Sequence, residues 1–374
     1  MPYPKIDSSR LRVYPLESRK SKTKIEDVAI DPDSPPPPAP EIEAAIEEVA
    51  QRILKARKKK ASVILAFGAH LVKNGAGPIL INLLENDWIT HLATQGGGAI
   101  HDWEFAYLGQ SEEDVRTHVA AGTFGTWDET GRYIHLAVQV GAIFGMGYGE
   151  ALGALIHNEG MDIPTAARLK EDIVNGLTSH DEFLPAKLEL LETMEKFNLQ
   201  AGFMNLAHPY KKYSVFGNSY RLKIPMTVHP GIGYDIIINH PYANGGALGR
   251  GGHIDYEIFV RSMSHISHGV FLSVGSAVMA PQIFEKALSF ANNIKLQEGE
   301  QITDHYIFVD DLQKSAWDWE RSEPKKNSPD YYFRFLKSFY RMGGTVRYVS
   351  ADNRVLLHNL YAKMKELAGQ TSSE

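Results

Sequence analysis

The chain contains no cysteine. That excludes disulfides and thiolate metal centres and fits a reducing compartment, so the expected location is cytoplasmic. No apolar run approaches the roughly 18 residues of a membrane helix, so no membrane is expected as a partner. The opening MPYPKIDSSR has no apolar signal-peptide core. A basic excess is also missing: Lys and Arg number 39 against 45 Asp and Glu, for a net charge of −6. General nucleic-acid binders carry the opposite balance, so no nucleic acid is expected. Neither a GxGxxG nor a GxxxxGK motif follows a strand pattern, which disfavours an ordinary dinucleotide fingerprint and a P-loop NTPase. There is no HExxH and no internal repeat.

What is present is a 374-residue chain, 43% hydrophobic, long enough to bury a large core. Residues 1–40 read as an extended arm ending in the proline run DPDSPPPPAP. Residues 41–374 read as a single large nucleotide-binding domain. From Glu41, apolar residues Ile42, Ala45, Ile46, Val49 and Ile53 recur at helical spacing, with the basic KARKKK at the far end. Beyond it, short apolar strands alternate with helices. Strands are predicted at ASVILAFG, WITHLATQ, LQAGFMNLA, IPMTVHPGIG, GVFLSVGS, HYIFVDD and TVRYVSAD. Helices are predicted at 181–196, 256–264, 281–292, 330–340 and 354–367. This alternation predicts a doubly wound, mostly parallel α/β sheet with helices on both faces, of Rossmann type. The stretch GAIFGMGYGEALG predicts close helix packing rather than a ligand loop.

In such a sheet, ligands bind beyond the carboxyl ends of the strands. The sequence puts Gly68 and His70 there after one strand, and Thr94, Gly96, Gly97, His101 and Asp102 after the next. His229, Gly231 and Asp235 follow a third; Gly275 and Ser276 a fourth; Asp310 and Asp311 a fifth; Ala351, Asp352 and Asn353 a sixth. Glycines let a backbone approach a ligand, and the following helices offer N–H groups to an anion. Each turn alone is more simply a strand-to-helix connection with a capping residue. Together they predict one shared crevice.

The runs FGAHLVKNGAGPILINLLENDWITHLATQGGGAIHDWEFAYLG, IPMTVHPGIGYDI, GVFLSVGSAVMAPQIFEKAL, DHYIFVDDLQKSAWDWE and VRYVSADN occur in an order that resembles deoxyhypusine synthase across residues 60–367. The resemblance implies NAD as cofactor, a homotetramer with active sites at dimer interfaces, oxidation of spermidine, and transfer of a butylamine group to a protein lysine or another amine acceptor. It places Thr94, Gly96, Gly97, Gly275, Ala351 and Asp352 at the cofactor, and the strand-end reading adds Gly68, His70, Asp102, Gly231 and Ser276, His70 standing where the family has asparagine. Asp235, Trp317, Asp318 and Glu320 would hold the polyamine by charge pairing and cation–π attraction. The family's Trp-Gly-Lys has no match here. Lys337 lies nearest, with Lys325 and Lys326 as alternatives, and His101 or His229 would accept a proton.

Two other readings use the same residues. His70, His101, His229 and His240 with Asp102 and Asp235 can be drawn as a metal site for hydrolase or lyase chemistry, although hydrogen-bonding histidines explain them more simply and no metal is expected. A nucleotide or metabolite sensor without turnover also fits retained glycines beside lost catalytic residues.

Overall fold

A computed structural model describes residues 3–371. The main sheet is built from β1 (Val63–Phe67), β2 (His91–Thr94), β3 (Met226–Val228), β4 (Val270–Val274), β5 (Tyr306–Asp310) and β6 (Thr345–Val349). All its pairings are parallel, in the order β3-β2-β1-β4-β5-β6. The chain therefore winds outward in both directions from β1, the doubly wound arrangement the alternation predicted. Its switch point lies between β1 and β4.

Side chains alternate across the sheet with period two. Val63, Leu65 and Phe67 of β1, Val270, Leu272 and Val274 of β4, and Tyr306 and Phe308 of β5 join one core. Ile64, Ala66, Phe271, Ile307 and Val309 join the other. These central strands are apolar on both faces because helices cover both. The first face receives helix α1 (Glu43–Lys58), which packs against the C-terminal Asn353–Thr371 helix. Its buried stripe is Ala45, Ile46, Val49, Ala50, Ile53 and Ala56, while Lys55, Arg57 and Lys58 occupy its last turn. The second face receives the paired helices Gly245–Met263 and Met279–Gln297.

Between β2 and β3 the chain makes a long excursion. It begins with α2 (Gly96–Leu108) and continues through α3 (Asp128–Ala142), α4 (Tyr148–Asn158) and α5 (Val215–Leu222). The predicted LQAGFMNLA strand is corrected here: Gly202–Asn205 is a strand, but it pairs antiparallel with Gly160–Ile163, outside the main sheet. Its residues are largely exposed, so it lacks the two buried faces of the parallel strands. The GAIFGMGYGEALG stretch does pack helices closely. A Cβ on Gly149 would lie 1.8 Å from the Met226 carbonyl oxygen, and one on Gly141 2.4 Å from the Ala151 Cβ.

Helix α6 (Gly245–Met263) starts eleven residues before the predicted 256–264, because its glycine-rich first half hides the periodicity. The Asn244 side chain caps it, accepting from the Ala247 amide at 3.0 Å. It is followed by α7 (Met279–Gln297) and, at the end of the chain, α8 (Asn353–Thr371).

Residues 3–40 run along the domain surface. Leu16 and Ile25 are buried in its core, Thr23–Lys24 pairs antiparallel with Gln110–Ser111, and the Ser34 carbonyl bonds His358 Nε2 at 2.9 Å. Among the described residues no helix is long and apolar enough to cross a membrane.

Candidate functional site at the sheet crest

The carboxyl ends of the strands meet along one continuous rim. A Cβ on Gly68, just after β1, would lie 2.1 Å from the Gly275 carbonyl oxygen, just after β4. Two bare backbones thus touch at the switch point, where any side chain would collide. Gly275 has φ of +57°, a left-handed conformation that favours glycine, and its missing Cβ would meet Asn353 Nδ2 at 2.3 Å. Toward β2, a Cβ on Gly97 would lie 3.3 Å from Ala69, and one on Gly96 2.7 Å from an Asp235 carboxylate oxygen. Asp235 and Gly96, Gly97 and Ala69, and Gly68, Gly275 and Asn353 therefore follow one another along the rim.

Several rim positions are filled by the protein's own groups. Asp235 is 9% exposed, and its Oδ2 accepts from the Gly231 amide at 2.8 Å. Burial pushes its carboxyl up, opposed by bonds from the Gly231 and Gly96 amides. It thus fills the start of α2, where an anion would otherwise sit. Thr94 is also occupied, its hydroxyl donating to the Phe67 carbonyl at 2.9 Å and so tying β2 to β1. Ser276 Oγ accepts from the Ala280 amide at 3.3 Å at the start of α7. Asp352 pairs with Arg354 at 2.7 Å, and that bond holds its carboxyl below the usual range.

Asp102 belongs elsewhere, which overturns the expectation that it faces the cleft beside His101. It is 1% exposed and caps α5, accepting from the Ser214 hydroxyl at 2.5 Å and the Val215 amide at 2.7 Å. Burial raises its carboxyl to about 6.

Two acceptors on the rim have no partner among the described residues: Asp310 Oδ2 and Asn353 Oδ1, both buried. Asp310 closes β5; its other oxygen accepts from the Ala351 amide at 3.2 Å. Burial pushes its carboxyl up to about 8, with Asp311 and Asp352 adding to the effect. Unpaired buried polar atoms cost free energy, so a pair beside a bare-backbone switch point points to a ligand with hydroxyl groups, which can both donate and accept. Sequence reasoning placed Asp310 and Asn353 at the strand ends but gave them no role.

Next to Gly97 lies a cavity of about 300 Å³, lined by His70, His101, Glu112, Glu113, Lys73 and Trp127 among others. His101 Nδ1 bonds the Ser111 hydroxyl at 2.7 Å, and burial pushes the imidazole down to about 4, so the ring is neutral near pH 7. Glu113 accepts from Trp127 Nε1 at 3.0 Å and from the Gly125 amide at 3.1 Å. Burial raises its carboxyl above the usual range. The floor holds a buried ion pair from the arm, Arg19 with Glu104, at 2.7 Å. Burial pushes the Glu104 carboxyl up, but the guanidinium outweighs it and holds it low. The sequence signal for this wall was the acidic run SEEDV after α2.

The predicted polyamine residues do not join this cavity. Asp318 pairs with Arg321 at 3.0 Å, and Glu320 pairs with Arg347. Trp317 Nε1 donates to the Ser322 carbonyl at 2.7 Å, and Trp319 is buried in the second core. Lys337 lies 3.6 Å from the Tyr331 ring centroid and 4.0 Å from Glu323, among residues that do not line the cavity. His229 sits at the end of β3, 8% exposed, with Nε2 3.1 Å from the Thr227 hydroxyl. His240 stacks on His135 at 6.2 Å. Among the described residues no three His, Cys, Asp or Glu side chains converge to hold a metal, so the metal-site drawing lacks its geometry.

No protein-family model matches the sequence, and no curated protein matches it. Similar solved structures include AgrE in a ternary complex with ornithine and NAD+, at 13% identity over 90% of this chain and 35% of its own, with a TM-score of 0.43. The chain thus spans about a third of the length of AgrE. A protein from Methanococcus maripaludis S2 described as LOR/SDH is similar over 96% of this chain and 75% of its own, at 13% identity and a TM-score of 0.43. One from Entamoeba histolytica described as a deoxyhypusine synthase is similar over 72% and 79%, at 13% identity and a TM-score of 0.30. The fold assignment rests on the six-stranded sheet itself.

Proposed function

We propose that this chain is an NAD-dependent enzyme that oxidises a small polyamine such as spermidine, passing any aminoalkyl group directly to an amine acceptor. The observation that carries the reading is the pair of unpartnered buried acceptors, Asp310 Oδ2 and Asn353 Oδ1, beside the touching backbones of Gly68 and Gly275. A dinucleotide supplies what this place lacks. Asp310 and Asn353 would hold its ribose hydroxyls, and Gly68, Gly275 and Ser276 would line its body. The nicotinamide, when bound, supplies the hydride acceptor.

The cavity beside Gly97 takes the amine. Glu113 faces an ammonium group, Glu112 being paired with Lys73 at 3.2 Å, and Trp127 offers an aromatic wall. An ammonium must lose its proton before its carbon can be oxidised, and Glu113, held above the usual carboxylate range, is placed to take it. A covalent imine on Lys337 is not part of this reading, because that side chain is engaged with Tyr331 and Glu323. Homotetramer formation, implied by the resemblance, is tested by light scattering.

The experiment is a calorimetric titration with NAD, followed by incubation with NAD and spermidine while absorbance of the reduced nicotinamide is recorded. Binding with reduction supports the proposal. Absence of NAD binding at millimolar concentration removes it.

A further inference from the structure

A chain of hydrogen bonds on the second face of the sheet has no part in either the cofactor rim or the amine cavity. His229 Nε2 lies 3.1 Å from Thr227 Oγ1, and Thr227 Oγ1 lies 2.9 Å from His91 Nε2. His91 Nδ1 lies 2.7 Å from Ser262 Oγ on α6. His91 is 0% and Thr227 1% exposed. The two ends differ: His229 keeps 8% exposure at the crest, where its amide bonds the Thr94 carbonyl at 2.9 Å, and Ser262 is only half-buried. Thr227 stands opposite Ala93 in the β2–β3 register, so His91 and His229 are each two residues from that level, on opposite sides. At the usual rise per strand residue their backbones are separated by roughly 13 Å along the sheet, and the side chains lean toward each other to share the Thr227 hydroxyl. Both rings meet the edge geometry of Phe259, at 5.4 Å and 5.3 Å, which fixes their planes.

We propose that Ser262, His91, Thr227 and His229 form a proton relay between the sheet crest and solvent on the far side of the molecule. Each member is both donor and acceptor. A proton taken up at His229 Nδ1 releases the one on Nε2 to Thr227 Oγ1. The Thr227 hydroxyl proton passes to His91 Nε2, the one on His91 Nδ1 passes to Ser262 Oγ, and the Ser262 hydroxyl proton leaves to water. Every bond formed is matched by one broken, and no charge stays in the core. Burial holds both imidazoles down, to about 4 for His229 and about 3 for His91, so the resting rings are neutral, as this transfer needs. The relay's use in turnover rests on the proposed amine oxidation, through the proton that Glu113 takes from the ammonium; its existence does not.

Tautomers test it directly. A single threonine hydroxyl proton can point only one way, so a connected chain requires opposite tautomers. Either His229 carries its proton on Nε2 and His91 on Nδ1, or His229 on Nδ1 and His91 on Nε2. Long-range proton–nitrogen spectra of protein labelled at histidine read this at pH 7. Opposite tautomers are expected. The same nitrogen protonated in both rings would break the chain and overturn the proposal. Thr227→Val, which keeps shape, should change the tautomer balance of at least one ring, and Ser262→Ala should alter His91 with His229 following. Unchanged His229 signals in both variants would also overturn it. If the protein turns over, Thr227→Val should lower kcat about a hundredfold and leave KM unchanged. A failed NAD assay leaves the tautomer test standing, so the two ideas fail separately.

Discussion

Asp310→Asn isolates the electrostatics of the crest. Asparagine keeps an oxygen for the Ala351 amide but cannot ionise. In the wild type, burial raises the Asp310 carboxyl to about 8, from 3.8. Between these values the native state holds a proton that the unfolded chain has lost, so wild-type stability falls as pH rises. The slope is about 1.4 kcal/mol per pH unit for one group. Over the three units from pH 5 to pH 8, the variant should therefore gain about 4 kcal/mol relative to the wild type, as an upper figure. Urea unfolding of both proteins at pH 5, 6, 7 and 8 measures it. Asp255, also raised to about 8, and Asp102 titrate in both proteins and cancel in the difference. A difference that stays flat with pH would refute the reasoning. A dinucleotide whose hydroxyls donate to ionised Asp310 should also expel about one proton on binding at pH 7, read by calorimetry in buffers of different ionisation enthalpy. The Asn variant should expel none from this site.

Other consequences follow from single contacts. Gly68→Ala would place a methyl group 2.1 Å from the Gly275 carbonyl, where backbone must move, and should cost about 3 kcal/mol in urea unfolding. Arg19→Ala leaves the Glu104 carboxylate buried beside only Ser111 and Thr130, at a cost of about 3–5 kcal/mol; adding Glu104→Gln should recover much of it. Lys337→Ala should leave NAD-dependent oxidation of spermidine within about twofold of wild type, since the side chain does not line the cavity. A complete loss would restore the covalent-lysine route.

The sheet was legible because its chemistry is local. Continuous apolar runs such as VILAF and VFLSV bounded by glycine read as strands buried on both faces, and they are. GFMN carried a weaker version of the same signal and went to a separate two-stranded antiparallel sheet, since an edge position away from the main sheet leaves no trace in four residues. Strand ends with glycine marked the crest correctly as a place. Which polar side chains point into it was not legible. Asp102 and Asp235 looked alike in sequence, a carboxylate near a glycine turn, but Asp102 is tied to the Val215 amide far along the chain, and Asp235 to the Gly231 amide of its own loop and the Gly96 amide of α2. The Ser262–His91–Thr227–His229 chain joins four separate positions on two strands and a helix, and only the register brings them together. The Trp317–Glu320 segment drew attention by composition, yet Arg321 and Arg347 neutralise its carboxylates.

The central claim is that a dinucleotide lies across the switch point between β1 and β4. Amide hydrogen exchange with and without NAD tests it most directly. The account predicts protection in residues 68–70, 275–278 and 351–353 together, with little change along the open edge of β3. Protection confined to the cavity around Tyr220 and Pro225 at that edge, or no protection at all, would contradict it.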